Sequence, residues 1–238
     1  MIDASLRSRL PAAAVDYVAE VLRLHPCEVL VVPRRRTKLG DHRPPRRGRP
    51  RHRITVNDDL NPYALLTTLL HEVAHAVAWE QGGSRRRWQR PHGPEWQRRF
   101  AALVGPLVAG DALPADVREA LAAAMREPAA ASCSDRRLAL ALAGYDPPRP
   151  GLVRVEELVP GAIFRTDCGT VFRAGPIVRT RRRCFEWRTG TEYRVHGLAR
   201  VEPLPHVIAE SVSGSSRQAR RRPGRCAGAF GPRRRRAR

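Results

Sequence analysis

The sequence lacks the features of membrane proteins, secreted proteins and disulfide scaffolds. No apolar run in its 238 residues approaches the roughly 20 residues that a transmembrane helix needs. The amino terminus alternates charged and apolar residues, whereas a signal peptide has an apolar core. The five cysteines are scattered, odd in number and never spaced as Cys-x-x-Cys, which predicts reduced thiols rather than disulfides. We therefore expect a soluble, cytoplasmic protein that does not contact membranes.

Acidic residues and lysine are also scarce. Lys38 is the single lysine among 44 basic residues, and only 23 acidic residues oppose them, so the formal net charge is +21. A positive field of this size attracts polyanions, and nucleic acid is the partner that we expect. Because a run of charge is most often only a solvated surface, each arginine-rich segment needs a structural context before it is assigned a function.

A histidine motif is the most informative feature that the sequence does contain. Residues 71–75 read His-Glu-Val-Ala-His, and His92 follows seventeen positions later. Histidines four positions apart on a helix project toward the same side, so His71 and His75 can bind one metal ion, with His92 as a third ligand. Three protein ligands leave one position of tetrahedral zinc open to water, which is typical of catalytic zinc. Glu72 is placed to accept a proton from that water.

The motif falls within a predicted helix. Asn61 can cap the helix, Pro62 suits its first turn and Gly82 ends it, so we predict a helix over residues 62–81. Bulky apolar side chains lie opposite the histidines on this helix, and small side chains flank them, which leaves room for a metal ion and a substrate. Three histidines also accept divalent ions other than zinc, so the identity of the metal stays open.

The rest of the chain predicts an α+β fold, in which helices accompany a small sheet. Apolar periodicity predicts helices over 11–24, 94–104, 114–126 and 135–143, strands over 29–32 and 54–57, and a loop or ragged hairpin over 34–53. Short alternating stretches separated by glycine-containing turns predict a further set of antiparallel strands. We therefore divide the chain into a metal-site domain, a small antiparallel β module and a disordered arginine-rich tail, over residues 1–148, 149–205 and 206–238.

Four segments together resemble a known family. They are Thr-Lys-Leu-Gly at 37–40, Arg-Ile-Thr-Val-Asn at 53–57, the stretch 65–77 that contains the motif, and His-Gly-Pro-Glu at 92–95. In this order they resemble the SprT-like zinc metalloproteases, to which the eukaryotic Spartan proteases belong. The similarity covers roughly residues 10–125.

The resemblance implies a minimal zincin-like metallopeptidase of the HExxH type. It implies that His71, His75 and His92 bind zinc and that Glu72 is the general base. It also implies DNA-associated proteolysis, such as DNA repair by digestion of proteins that are bound or crosslinked to DNA. Where many members carry a cysteine zinc ribbon, this chain retains only Cys168 and Cys184, so a second zinc ion is not expected.

Two basic segments are placed near the predicted metal site. Residues 34–53 join the strands that precede the metal helix, and residues 85–90 lie between the second and third metal ligands, where Trp88 is available to stack on a base. We predict nonspecific DNA contacts from Arg34, Arg35, Arg36, Lys38, Arg85, Arg86, Arg87 and Trp88.

Several alternatives remain open at the level of sequence. The same residues would suit a zinc-dependent nuclease, or a catalytically inactive DNA-binding module that zinc stabilises. Tyr63, His42 and Arg43 are candidates for stabilising an oxyanion, although Tyr63 equally suits packing at the start of a helix. The pattern indicates neither the natural substrate nor the oligomeric state.

Overall fold

The protein folds into two compact units, Met1–Pro147 and Pro148–Arg238. The computed structural model describes residues 2–35, 38–82, 92–126, 135–205 and 230–232. Helices and small sheets make up these ranges, so the predicted α+β class is confirmed. No helix within the described ranges is long and apolar enough to cross a membrane.

The first unit contains six α-helices and three strands in its described residues. The helices are α1 (Ala4–Arg7), α2 (Val15–Leu24), α3 (Pro62–Gln81), α4 (Pro94–Ala109), α5 (Ala115–Arg126) and α6 (Arg136–Ala143), and a 3-10 turn, Ala12–Ala14, precedes α2. The strands are β1 (Cys27–Val32), β2 (Gly40–Arg43) and β3 (His52–Asn57).

The three strands form a mixed sheet in the order β1-β3-β2. Strand β3 pairs in parallel with β1 and antiparallel with β2, where Gly40 lies opposite Val56. The segment predicted as a loop or ragged hairpin therefore contains an edge strand. Asn57 is 1% exposed, and its side-chain amide donates to the backbone carbonyls of Arg35 and Lys38. These bonds fix the chain where it enters β2.

Helix α3 lies at the centre of the first unit. It spans the predicted residues because Asn61 caps Tyr63 and Ala64, and Pro62 occupies the first turn. Its apolar side chains, including the fully buried Leu65, Leu69 and Val73, join one core with α2, α4, α5 and the sheet. The helix is buried on nearly every side, so it provides a rigid support for the histidines.

Helix α4 continues five residues beyond its predicted end at residue 104. The dipeptide Gly105-Pro106 suggested a stop, because proline cannot donate a backbone hydrogen bond within a helix. The helix nevertheless reaches Ala109 with Pro106 inside it, and Leu107 is 4% exposed in the core. Burial of this last turn outweighs the local preference of the proline.

The second unit is a seven-stranded antiparallel sheet in the order β10-β8-β7-β6-β5-β9-β4. Its strands are β4 (Val153–Arg154), β5 (Ile163–Arg165), β6 (Val171–Val178), β7 (Arg181–Glu186), β8 (Glu192–His196), β9 (Arg200–Leu204) and β10 (Phe230–Pro232). Strands β5 to β8 follow one another, and β9 returns to pair with β5. Residues 206–229 and 233–238 of the predicted disordered tail lie outside the described ranges.

Two features of the second unit differ from the sequence-based expectation. The stretch Val171–Val178 is one strand with an irregular register between Ala174 and Ile177, whereas the alternating pattern suggests two separate strands there. Cys168 is disulfide-bonded, so the prediction of reduced thiols is wrong at that position. Cys27 and Cys184 are free, as predicted.

The cap of α3 generates a first prediction. Besides capping α3, Asn61 donates to the Leu142 carbonyl (2.8 Å) and to the Asp146 carboxylate (2.7 Å), so it connects α3 to the end of α6. Asn61→Ala should lower the free energy of unfolding by about 2–3 kcal/mol, measured by urea denaturation. Asp135→Ala, which removes the single cap bond of α6 to Leu138, should cost about 1 kcal/mol. Equal losses would contradict the connecting role of Asn61.

Candidate metal centre

Three imidazoles, two from α3 and one from the turn before α4, converge on one point. The Nε2 atoms of His71 and His75 are 3.3 Å apart, those of His75 and His92 are 3.1 Å apart, and those of His92 and His71 are 3.0 Å apart. His71 and His75 share one side of α3 because they are separated by about one helical turn. Together with His92 they form the one group of at least three histidine, cysteine or acidic residues with metal-binding spacing in the described ranges.

His92 reaches this point through a left-handed turn. Its φ is 60°, a conformation that costs a non-glycine residue about 1–3 kcal/mol and that often occurs at functional sites. The next residue, Gly93, is the N-cap of α4, and Gln97 donates to the His92 carbonyl at 3.2 Å. The turn directs the His92 ring toward α3, so the folded structure compensates locally unfavourable backbone geometry.

Trp96 holds the three rings together from behind. Its ring centroid lies 4.5 Å from that of His71, 5.4 Å from His75 and 4.7 Å from His92. It is 2% exposed, and its indole Nε1 donates to the His71 carbonyl at 3.3 Å. The predicted helix over 94–104 includes Trp96 but did not indicate this contact with the histidines. The position of Trp96 one helical turn after His92 was the available signal for this contact.

The three histidines fit a divalent cation. Burial lowers the pKa of His71 and of His75 to about 3, and it also lowers the pKa of His92. All three rings are therefore neutral at pH 7 and can offer nitrogen lone pairs to one ion. A tetrahedral zinc ion bound at its usual nitrogen distance holds its ligands about 3.3 Å apart, which agrees with the observed spacing.

Glu72 lies in the same cleft as the histidines, which Gly40, Asp41 and His42 of β2 also line. The Glu72 side chain is buried, and this burial, with the nearby charge of Asp41, raises its pKa to about 7. The backbone N–H of His42 donates to the carboxylate and has the opposite effect on the pKa. Strand β2 thus forms the wall that holds the Glu72 carboxylate.

Gly40 makes this close approach feasible. A Cβ atom at Gly40 would lie 2.5 Å from Glu72 Oε1 and 2.8 Å from Thr68 Cγ2. Real Cβ atoms essentially never approach other heavy atoms that closely, so only glycine fits between β2 and α3 at this position. The close approach of β2 to α3 therefore explains the glycine at the end of the Thr-Lys-Leu-Gly segment.

A chain of polar contacts extends from the cleft behind His75 to the exposed Glu80. The His42 ring is parallel to that of His75 with centroids 6.2 Å apart, and His42 Nε2 lies 2.7 Å from Nδ1 of the buried His52. Nε2 of His52 is in turn 3.4 Å from Glu80 Oε1. The tautomers of the two rings determine which of His42 and His52 donates in this contact. Spacing along the chain predicts no partner for His52, because this contact joins two strands.

The same geometry tests the three candidates for stabilising an oxyanion. His42 Nε2 lies 2.7 Å from His52 Nδ1, and burial lowers the pKa of His42 to about 4, so its ring is neutral at pH 7. Arg43 pairs with Asp41 at 2.9 Å. Tyr63 packs against Tyr145 with ring centroids 4.6 Å apart, which agrees with a packing role at the start of α3.

The predicted nucleic-acid residues fall into two groups. Arg36, Arg85, Arg86, Arg87 and Trp88 lie outside the described ranges. Of the others, Arg34 pairs with Asp59 at 3.1 Å and Lys38 with Asp41 at 2.6 Å.

Arg35 has an internal structural contact. Its guanidinium donates to Asn57 Oδ1 at 2.8 Å and to Thr55 Oγ1 at 2.7 Å. DNA contact by Arg35 stays a prediction, but this side chain already stabilises the loop before β2.

Comparison with known proteins agrees with this geometry. The model of the SprT-like family matches residues 16–119, a stretch that contains α2, the three-stranded sheet, all three histidines and Glu72. The predicted family resemblance is therefore confirmed for the metal-site unit. No curated protein and no solved structure matches the chain significantly.

Metal binding provides the second prediction. The protein should bind one zinc ion. Alanine at His71, His75 or His92 should weaken zinc binding at least about tenfold, because each substitution removes one of the three ligands. Competition with a chromophoric chelator measures the affinity. His25→Ala is the control, since His25 is outside the three-histidine group. Unchanged affinity in all three ligand variants would contradict this site.

The contact between Gly40 and Glu72 provides the third prediction. Gly40→Ala should lower the free energy of unfolding by about 1–3 kcal/mol through overpacking. In a Glu72→Ala background the same substitution should cost at least about 1 kcal/mol less, because the atom it meets first has been removed. Gly105→Ala is the control: its Cβ meets nothing within 4 Å. Equal costs of Gly40→Ala in both backgrounds would contradict the proposed contact.

Proposed function

We propose that the protein is a zinc-dependent endopeptidase of the SprT-like type. The observation that carries this proposal is the convergence of three neutral imidazoles with a buried carboxylate, Glu72, in one cleft. His71, His75 and His92 would hold the zinc ion. When bound, zinc lowers the pKa of water to about 7 and polarises a peptide carbonyl.

Glu72 is the general base in this proposal. Its carboxylate accepts a proton from the attacking water and then delivers that proton to the nitrogen of the leaving amine. The backbone N–H of His42 orients the carboxylate, and Gly40 allows β2 to approach it. Trp96 contacts His71 on α3 and His92 before α4, and so keeps these two ligands aligned.

The edge strand favours a peptide over a nucleic acid as the substrate that is cleaved. Strand β2 is the last strand of the sheet, and its residues Gly40–His42 line the cleft beside Glu72. An edge strand offers backbone donors and acceptors that can pair with an extended peptide. A peptide paired in this way would present its backbone carbonyl beside the proposed base.

The charge of the chain favours substrates on DNA. A net charge of +21 attracts the protein to nucleic acid at physiological salt. We propose that it acts in the cytoplasm at the nucleoid, on proteins that are bound or crosslinked to DNA. DNA then concentrates enzyme and substrate on the same polymer, so cleavage is faster when DNA is present.

The fourth prediction tests the base. Zinc-loaded protein should cleave a DNA-binding protein faster with DNA than without it. Gel electrophoresis measures the rate of cleavage. Glu72→Gln should lower the rate about 10²–10⁴-fold and leave zinc affinity within a few-fold of wild type. Glu119→Gln makes the same chemical change on the exposed side of α5 and should retain the wild-type rate.

Three results would contradict the proposal, and each indicates a different function. Full activity of Glu72→Gln would exclude Glu72 as the base. Zinc and DNA binding without cleavage of any protein would indicate an inactive DNA-binding module. Hydrolysis of the nucleic acid itself would indicate a zinc-dependent nuclease.

A further inference from the structure

The sheet of the second unit has two chemically different faces. One face buries the apolar core of this unit, which includes Phe164, Phe172, Cys184 and Val195. Alternate residues of the strands point to the opposite face. On β6, β7 and β8 that opposite face carries Arg173, Arg181, Arg183, Phe185, Glu192, Arg194 and His196. We call these residues the arginine face.

The arginine face concentrates positive charge where the sheet itself gains nothing from it. Arg183 lies directly opposite Arg194 across β7 and β8, and Arg181 lies opposite His196. Like charges in such cross-strand positions destabilise a sheet. The one acid of the face, Glu192, forms an ion pair with Arg183 at 2.9 Å. The face keeps a net charge of +3 from four arginines and one glutamate.

Arg194 has a polar atom that the sheet leaves without a hydrogen-bond partner. Its Nε is buried and has no hydrogen-bond partner among the described residues. Arg173 and Arg181 are exposed and form no ion pair with any described acid, and Arg181 uses one N–H, from Nη1, to donate to the Arg194 carbonyl at 3.3 Å. Three guanidinium groups are therefore available to phosphate oxygens on adjacent strands. By contrast, Arg165 on β5 is neutralised by Glu202 at 2.8 Å.

Aromatic rings lie among these arginines. Phe185 is half-buried, and the guanidinium carbons of Arg173 and Arg183 each lie 5.8 Å from its ring centroid. Trp187 follows at the end of β7 and packs partly against Ile163 and Val171. Planar guanidinium and aromatic groups both provide stacking surfaces for unpaired bases.

We propose that the arginine face binds single-stranded nucleic acid. Arg173, Arg181 and Arg194 contact phosphates, and bases stack on Phe185 and the adjacent guanidinium groups. A duplex satisfies the charge, but its bases are already stacked on each other and cannot use the aromatic ring. This proposal does not rest on the endopeptidase function, because all of its residues belong to the second unit.

The fifth prediction uses the full chain and a labelled oligothymidine of about 15 nucleotides, measured by fluorescence anisotropy. In the triple variant Arg173→Gln, Arg181→Gln, Arg194→Gln, the slope of log affinity against log salt should become shallower by about 2, because each phosphate contact on a single strand contributes about 0.7. The control triple Arg126→Gln, Arg137→Gln, Arg149→Gln removes the same charge from exposed positions elsewhere. It should keep the wild-type slope.

A second variant separates stacking from charge. Phe185→Leu keeps an apolar side chain but loses the ring, so affinity for the single strand should fall about tenfold with an unchanged salt slope. Thermal unfolding followed by circular dichroism verifies that both variants fold. Glu72→Gln should bind the oligonucleotide like wild type, which separates this test from the test of catalysis.

Two results would overturn the proposal. One is that the arginine triple and Phe185→Leu bind the oligonucleotide with the same affinity and salt slope as the control triple. Nucleic acid would then not bind this face. Equal losses for single strand and duplex in the arginine triple, with no effect of Phe185→Leu, would show a phosphate-binding surface without selectivity for single strands.

Discussion

The packing of the first turn of α4 against α3 is the contact on which the metal centre depends. Two of the histidines are fixed relative to each other by helical geometry alone, but the third comes from a different segment. Trp96 joins the two segments because it contacts all three rings and also donates to the α3 backbone. The left-handed backbone at His92 is tolerated because this buried packing outweighs its local cost.

Burial lowers the pKa of the histidines in the cleft and raises the pKa of Glu72. For the histidines it disfavours the charged form, which keeps the nitrogen lone pairs available at neutral pH. For Glu72 it also disfavours the charged form, and the His42 backbone N–H partly offsets this effect. A divalent cation at the histidines would add further stabilisation of the carboxylate. Metal binding and the ionisation of Glu72 are therefore expected to support each other.

Local signals in the sequence were enough to predict α3, the strands β1 and β3 and the candidate ligands. Asn61, Pro62 and Gly82 mark the ends of one helix, and the histidine spacing follows from its period. The contacts that local signals could not predict are those between distant segments. His52 pairs with His42 only because β2 folds back on β3, and Gly40 meets Glu72 only because β2 packs on α3. The return of β9 to β5 depends in the same way on closure of a whole sheet.

X-ray absorption spectroscopy of the zinc-loaded protein tests the central claim most directly. We predict three imidazole nitrogens at about 2.0–2.1 Å from the zinc ion, with one oxygen ligand and no sulfur. His92→Ala should reduce the imidazole contribution by one third, while Glu72→Gln should leave it unchanged. A shell that contains sulfur, or one that retains three imidazoles after removal of His92, would contradict a centre built from His71, His75 and His92.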